Sequence, residues 1–90
     1  MIAITRYRVT DDADFTARMR PILTALAASP GYLDGHLARS VDEPDLWALI
    51  TRWEGAGYYR RALGPIRHEF VPLSALAIDE PGAYEVIDPK

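Results

Sequence analysis

Residues 46–53 read LWALITRW, and the reading of this stretch decides the fold. It is rich in aromatic and aliphatic side chains and alternates with a period of two, which predicts a strand. Leu46, Ala48 and Ile50 fall on one side, Trp47, Leu49 and Trp53 on the other. A strand with one wet face would be polar on that face. This one is apolar on both, so both faces of its sheet want cover.

Upstream, VDEPD (41–45) is a polar turn, and YLDGHLARS (32–40) alternates again. Leu33, Gly35, Leu37 and Arg39 lie on one side of it, Tyr32, Asp34, His36 and Ala38 on the other. The two stretches form an antiparallel hairpin. Before them, TDDADFTARMRPILTALAAS (10–29) carries Phe15, Met19, Ile22, Leu23 and Leu26 at helical spacing. Thr10, Asp11 or Asp12 can cap it, Pro21 should bend it near Ala17, and SPGY (29–32) ends it. IAITRYRV (2–9) reads as a first strand.

Downstream, GAGYYRRALG (55–64) predicts a short helix ended by Gly64 and Pro65. PIRHEF (65–70) adds a further helical turn before Pro72 stops it, and AYEVI (83–87) predicts a last strand. The order is β-α-β-β-α-β, an α+β, ferredoxin-like arrangement with a four-stranded antiparallel sheet. It spans residues 1–87 as a single domain and leaves 88–90 as a tail. Helices can cover one face of the sheet only. A second copy of the chain is expected to cover the other, giving a homodimer built sheet to sheet.

Bulk composition bounds the function. The chain has 90 residues, so its core is small and its stability marginal without a partner. It has no cysteine, which excludes disulfides, a thiolate nucleophile and cysteine metal sites. The two histidines and scattered acids lack metal-ligand spacing, and no glycine-rich phosphate loop occurs, so no metal or cofactor is expected. A net charge of −3 with no basic stripe argues against nucleic acid. No apolar run approaches the ~20 residues of a membrane span. The alternating, arginine-bearing start is not a signal peptide, so the expected compartment is the cytoplasm.

The chemistry-bearing side chains concentrate in RWEGAGYYRRALGPIRHEF, residues 52–70. Trp53 reads as a core anchor or as a wall that stacks on an aromatic ligand. Tyr59 packs on the sheet or offers its phenol to a substrate oxygen, where orientation suits it better than proton abstraction. His68 is a solvated imidazole or a general base, and His36 lines a pocket or a dimer contact. Arg67 is solvated or meets a carboxylate or phenolate.

Three stretches, PGYLDGHLARS, DEPDLWALITRWEG and YYRRALGPI, resemble the antibiotic biosynthesis monooxygenase family of the dimeric α/β-barrel superfamily. A Pro-Gly-aromatic turn opening the second strand, a third strand ending in Trp-Glu, and an aromatic-bearing helix carry the likeness, which covers almost the whole chain. It implies a homodimer with a pocket between sheet and helices in each copy. It also implies oxidation of small aromatic polyketides such as anthrones or quinols by molecular oxygen without a cofactor, or haem degradation in another branch. In the oxygenase branch the resemblance places Trp53 and Tyr59 on functional positions. It puts Leu49 where an Asn is used and leaves Arg67 as the nearest arginine to a functional one. In the haem branch its positions fall on Thr5, Ala62 and Phe70, with His68 as the one remaining support. The chain contains no Asn.

Two functions follow. One is a cofactor-independent monooxygenase acting on a small aromatic or polyketide-like substrate, with Trp53, Leu49 and Arg67 binding it, Tyr59 orienting it, and His68 or His36 taking the proton. The alternative is a non-catalytic dimeric module that binds a small hydrophobic ligand.

Overall fold

LWALITRW forms a strand, as its alternation predicts, and the sheet places it inside. In the computed structural model, which describes residues 1–90, the elements are β1 (Ile2–Arg8), α1 (Asp12–Ala27), β2 (Tyr32–Arg39), β3 (Leu46–Trp53), α2 (Ala56–Phe70), a 3-10 turn (Val71–Leu73) and β4 (Ala83–Tyr84). The sheet order is β2-β3-β1-β4 and every pairing is antiparallel. This is the ferredoxin-like arrangement expected from the element order. No helix is long and apolar enough to cross a membrane.

Register fixes the two faces. β1 pairs β3 with Thr5 opposite Leu49 and Tyr7 opposite Trp47, on the side that the helices cover. Phe15, Met19, Ile22 and Leu26 of α1 are buried there against Tyr7, Leu49 and Trp53. The opposite face carries Ile2, Ile4, Leu46, Ala48 and Ile50, all partly buried, and no element of the chain packs on it.

Three details depart from the alternation and punctuation of the sequence. A bulge between Tyr32 and Asp34 shifts the parity of β2, so Tyr32 faces the helices, edge-on to Trp53 at 5.3 Å between ring centres. Asp34 and His36 then fall on the open face opposite Arg52 and Ile50. Gly64 and Pro65 do not end α2, which runs on to Phe70. Pro65 and Arg61, the residue whose carbonyl loses its partner, are both exposed, so water can satisfy that carbonyl. As expected, α1 runs through Pro21, with Asp11 as its cap accepting from the Asp14 amide at 3.0 Å. The last strand is only two residues long. The chain before it also runs beside β1, bonding through Leu76, Ile78 and Gly82.

Candidate functional site

α2 lies across the helix face of the sheet without filling the space beneath its second half. Its successive i, i+4 positions Tyr59, Leu63 and Arg67 look onto Thr5 and Tyr7 of β1 and Leu49 of β3. Phe70 and the following turn close the far side, leaving a cavity of about 280 Å³ with a mainly apolar lining. That volume suits a small ligand, near the lower end of ordinary binding sites.

The polar groups in this cavity are few. Tyr7 is only 2 % exposed, yet its hydroxyl makes no hydrogen bond within the protein. Trp47 Nε1 is the one sealed polar atom without a partner, so the residual exposure of the Tyr7 hydroxyl is to the cavity. Burial pushes the Tyr7 phenol up to about 12, and the neighbouring Tyr59 phenol adds to the shift. Burial also raises Tyr59 above the usual tyrosine value. Both phenols therefore keep their protons at neutral pH and act as donors. Ser74 is already engaged, donating to the Val71 carbonyl at 2.8 Å.

Arg67 lies at the exposed rim of the cavity. Arg6, Arg8, Arg18, Arg39 and Arg52 each pair with a carboxylate; Arg67 does not. No carboxylate and no imidazole lines the cavity, and nowhere in the chain do three His, Asp or Glu side chains converge as metal ligands.

Of the residues singled out in the sequence, Tyr59, Leu49 and Arg67 come together here. Trp53 stands one layer behind. It is 1 % exposed, tilted against the Tyr59 ring at 5.7 Å, and donates its indole N–H to Thr51 Oγ1 at 2.8 Å. It backs Tyr59 rather than forming a wall. His68 is not a lining residue; its side chain is 74 % exposed and 3.3 Å from Glu69 Oε1. His36 is exposed on the opposite face of the sheet, because the bulge in β2 sets its parity. Neither imidazole can reach a proton in this cavity as folded. Of the positions suggested by haem chemistry, Thr5 and Phe70 line the cavity and Ala62 is buried.

Tyr7 was legible as a residue of the first strand and not as a site residue. The usable signal was a phenol on that strand whose hydroxyl needs a partner when buried. Whether it meets a protein acceptor or a cavity depends on where residues 70–77 cross, which no local pattern specifies.

Comparison with known proteins agrees with this architecture. The family model described as antibiotic biosynthesis monooxygenase matches residues 1–63. A search of curated proteins by sequence found no match. Among solved structures, the chain is similar to SnoaB, a cofactor-independent oxygenase from Streptomyces nogalater. The TM-score is 0.84 at 23 % identity, over 98 % of this chain and 93 % of that one. It is similar to Rv0793 from Mycobacterium tuberculosis, with a TM-score of 0.73 at 19 % identity, over 99 % and 93 % of the two chains. MhuD, solved with two manganese protoporphyrins bound per active site, gives a TM-score of 0.71 at 22 % identity, over 99 % and 96 %. At these identities the structural likeness is one of fold.

Proposed function

Because the chain belongs to the antibiotic biosynthesis monooxygenase family, we propose that it is a cofactor-independent monooxygenase that oxidises a small aromatic or polyketide-like substrate with molecular oxygen. The observation that carries this reading is the apolar cavity under α2, with two unpartnered phenol hydroxyls inside it and an unpaired guanidinium at its rim.

The chemistry belongs mostly to the substrate. An anthrone-like methylene loses a proton to give an enolate, and the enolate passes one electron to oxygen. The two radicals couple through a new carbon–oxygen bond. The resulting peroxide loses water as the second C–H proton leaves, so that one oxygen molecule yields one carbonyl and one water. The protein supplies orientation and a water-poor cavity. Tyr59 donates to the substrate oxygen, Leu49 and Leu63 hold the rings, and Arg67 offsets negative charge. With both histidines outside the cavity, the proton leaves through the open rim to water.

Haem degradation has less support, because no histidine lines the cavity.

We include a homodimer in this reading, with a second copy on the open face of the sheet. That face has an apolar centre, Ile4, Ala48 and Ile50, bordered by the Arg6–Glu80 and Arg52–Asp34 ion pairs. This is the anatomy of an interface with a polar rim.

The test is oxygen uptake with a panel of anthrones and hydroquinones. One oxygen consumed per substrate is expected, with Tyr59→Phe slower by about a hundredfold, the usual cost of removing one donor to a developing oxyanion. No uptake across the panel would discard the reading. The non-catalytic alternative rests on Leu49, which carries no polar group where the oxygenase branch uses Asn. Binding of a hydrophobic ligand without oxygen uptake would favour it.

A further inference from the structure

We propose that Tyr7 and Tyr59 act as a pair, donating their hydroxyls to one ligand oxygen, so that the cavity selects its aromatic ligand as the phenolate or enolate rather than as the neutral phenol or ketone. This deepens the oxygenase reading of the same cavity and rests on it for the ligand's aromatic character.

The two phenols come from opposite walls, Tyr7 from the sheet and Tyr59 from the helix above it, and both line one cavity of about 280 Å³. The Tyr59 phenol acts electrostatically on that of Tyr7. Neither hydroxyl has an acceptor in the protein, although Tyr7 is almost fully buried. The Tyr7 hydroxyl is not sealed; its residual exposure is to the cavity, where water or a ligand can accept from it. Beside the two phenols, the lining's polar side chains are Thr5, Ser74 and Arg67. The lining contains no carboxylate and no imidazole, and its serine hydroxyl is committed to a backbone carbonyl. A ligand oxygen that displaces the cavity's solvent can serve as acceptor for both phenols.

The number and kind of donors say what that acceptor is. Two neutral O–H donors converging in an apolar cavity stabilise a charged oxygen more than a neutral one, since hydrogen bonds to an ionised acceptor are roughly twice as strong. Low local polarity strengthens the difference. Arg67 adds charge of the right sign. It lies eight residues beyond Tyr59 on the same helix face, about 12 Å along the axis, so it acts at the rim on the ligand as a whole. Apolar Leu63 lies between them and receives the ring system. The arrangement lowers the pKa of the bound phenol, which removes the need for a base inside the cavity. It also explains a cavity whose lining holds donors and no titratable acceptor.

The probe is 4-nitrophenol, whose neutral and ionised forms absorb at different wavelengths, with nitrobenzene as the neutral analogue of similar shape. Absorbance titration of the bound probe against pH, in wild type, Tyr7→Phe, Tyr59→Phe and the double variant, reads the protonation state directly. Wild type should lower the probe's pKa by about one unit or more, a tenfold preference for the anion. It should bind the phenolate at least about tenfold more tightly than nitrobenzene. Each single variant should lose part of the shift and the double variant nearly all of it, while the circular dichroism spectrum, the check on the fold of each variant, stays that of wild type. The idea is overturned if the probe binds with its solution pKa. It is equally overturned if Tyr7→Phe behaves as wild type, or if neither form binds at millimolar concentration. The assay needs no oxygen chemistry. A protein that captures the phenolate yet consumes no oxygen with anthrones and hydroquinones keeps this inference and loses the oxygenase reading; turnover without a shifted probe does the reverse.

Discussion

At the scale of single residues, the cavity depends on a hydrogen bond outside it. Thr51 is the one fully buried polar residue, and its hydroxyl accepts the indole N–H of Trp53 at 2.8 Å. That bond holds the indole on which the Tyr59 ring rests. Thr51→Val keeps the shape and strands the N–H in an apolar interior, which costs about 1–3 kcal/mol of stability. Thr51→Ser retains the acceptor and loses only a methyl group, so it should cost about 1 kcal/mol or less. Urea unfolding followed by circular dichroism separates the two; equal losses would mean that volume and not the hydrogen bond matters here. The sequence made Trp53 visible as an anchor and Tyr59 as its neighbour, because tryptophan at the end of an apolar strand and tyrosine at helical spacing are local facts. It did not show which of them would meet empty space. His36 shows the same limit from the other side. Its side of the sheet was set by one bulged residue, and a shift of one residue exchanges the faces of a strand.

At the scale of elements, α2 is the part where local rules and tertiary context disagree. Gly64 and Pro65 both speak for a helix end, yet the helix passes through them to place Arg67 and Phe70 on the cavity. Gly64 is exposed, has no left-handed backbone, and a methyl group there would meet nothing within 4 Å. Gly64→Ala should therefore stabilise the protein by about 0.5–1 kcal/mol, seen as a rise in thermal midpoint of several degrees. A fall would show that α2 needs a break at this point. The strands and helices themselves were legible, since periodicity and β-branched or aromatic content repeat over many residues. The C-terminal stretch was not, because its order comes from side chains far away in sequence. Arg6 on β1 donates through Nε and Nη2 to Glu80 at 2.7 and 2.6 Å, clasping that stretch to the sheet. The Arg6 guanidinium holds the Glu80 carboxyl below its usual value. A carboxyl lowered on folding contributes stability that is fully present above its unfolded pKa, about 4.3, and is lost as pH falls through the folded value. Glu80→Gln should flatten the decline in thermal midpoint on acidification below about pH 4.3 and change little at neutral pH beyond the loss of a solvent-screened pair. Parallel acid titrations of wild type and variant would exclude this role for the pair.

At the scale of the whole molecule, the helix face and the open face make different demands. Only 12 of 90 residues are buried, all of them on the helix side or beneath the loops, which is a thin core for an independent fold. The open face meanwhile presents Ile2, Ile4, Leu46, Ala48 and Ile50 in adjacent rows, with Arg6 and Arg52 neutralised at its margins by Glu80 and Asp34. Neutralised margins around an apolar centre suit a surface that meets its own copy, because like charges are then not forced together across a two-fold axis. Sedimentation should accordingly give twice the 10.1 kDa chain mass at micromolar concentration. Ile50→Arg places an unpaired guanidinium at the centre of the face and should yield monomers. The thermal midpoint of wild type should rise with protein concentration, and that of the variant should not. Ile50 lies on the side of β3 away from Leu49 and the cavity. If each copy holds a complete site, the variant should still bind 4-nitrophenolate whenever it remains folded, with affinity within about threefold of wild type. A monomeric wild type would refute the sheet-to-sheet assembly. Loss of binding in a folded monomer would show instead that the partner copy stiffens β1, on which both Tyr7 and the open-face isoleucines sit.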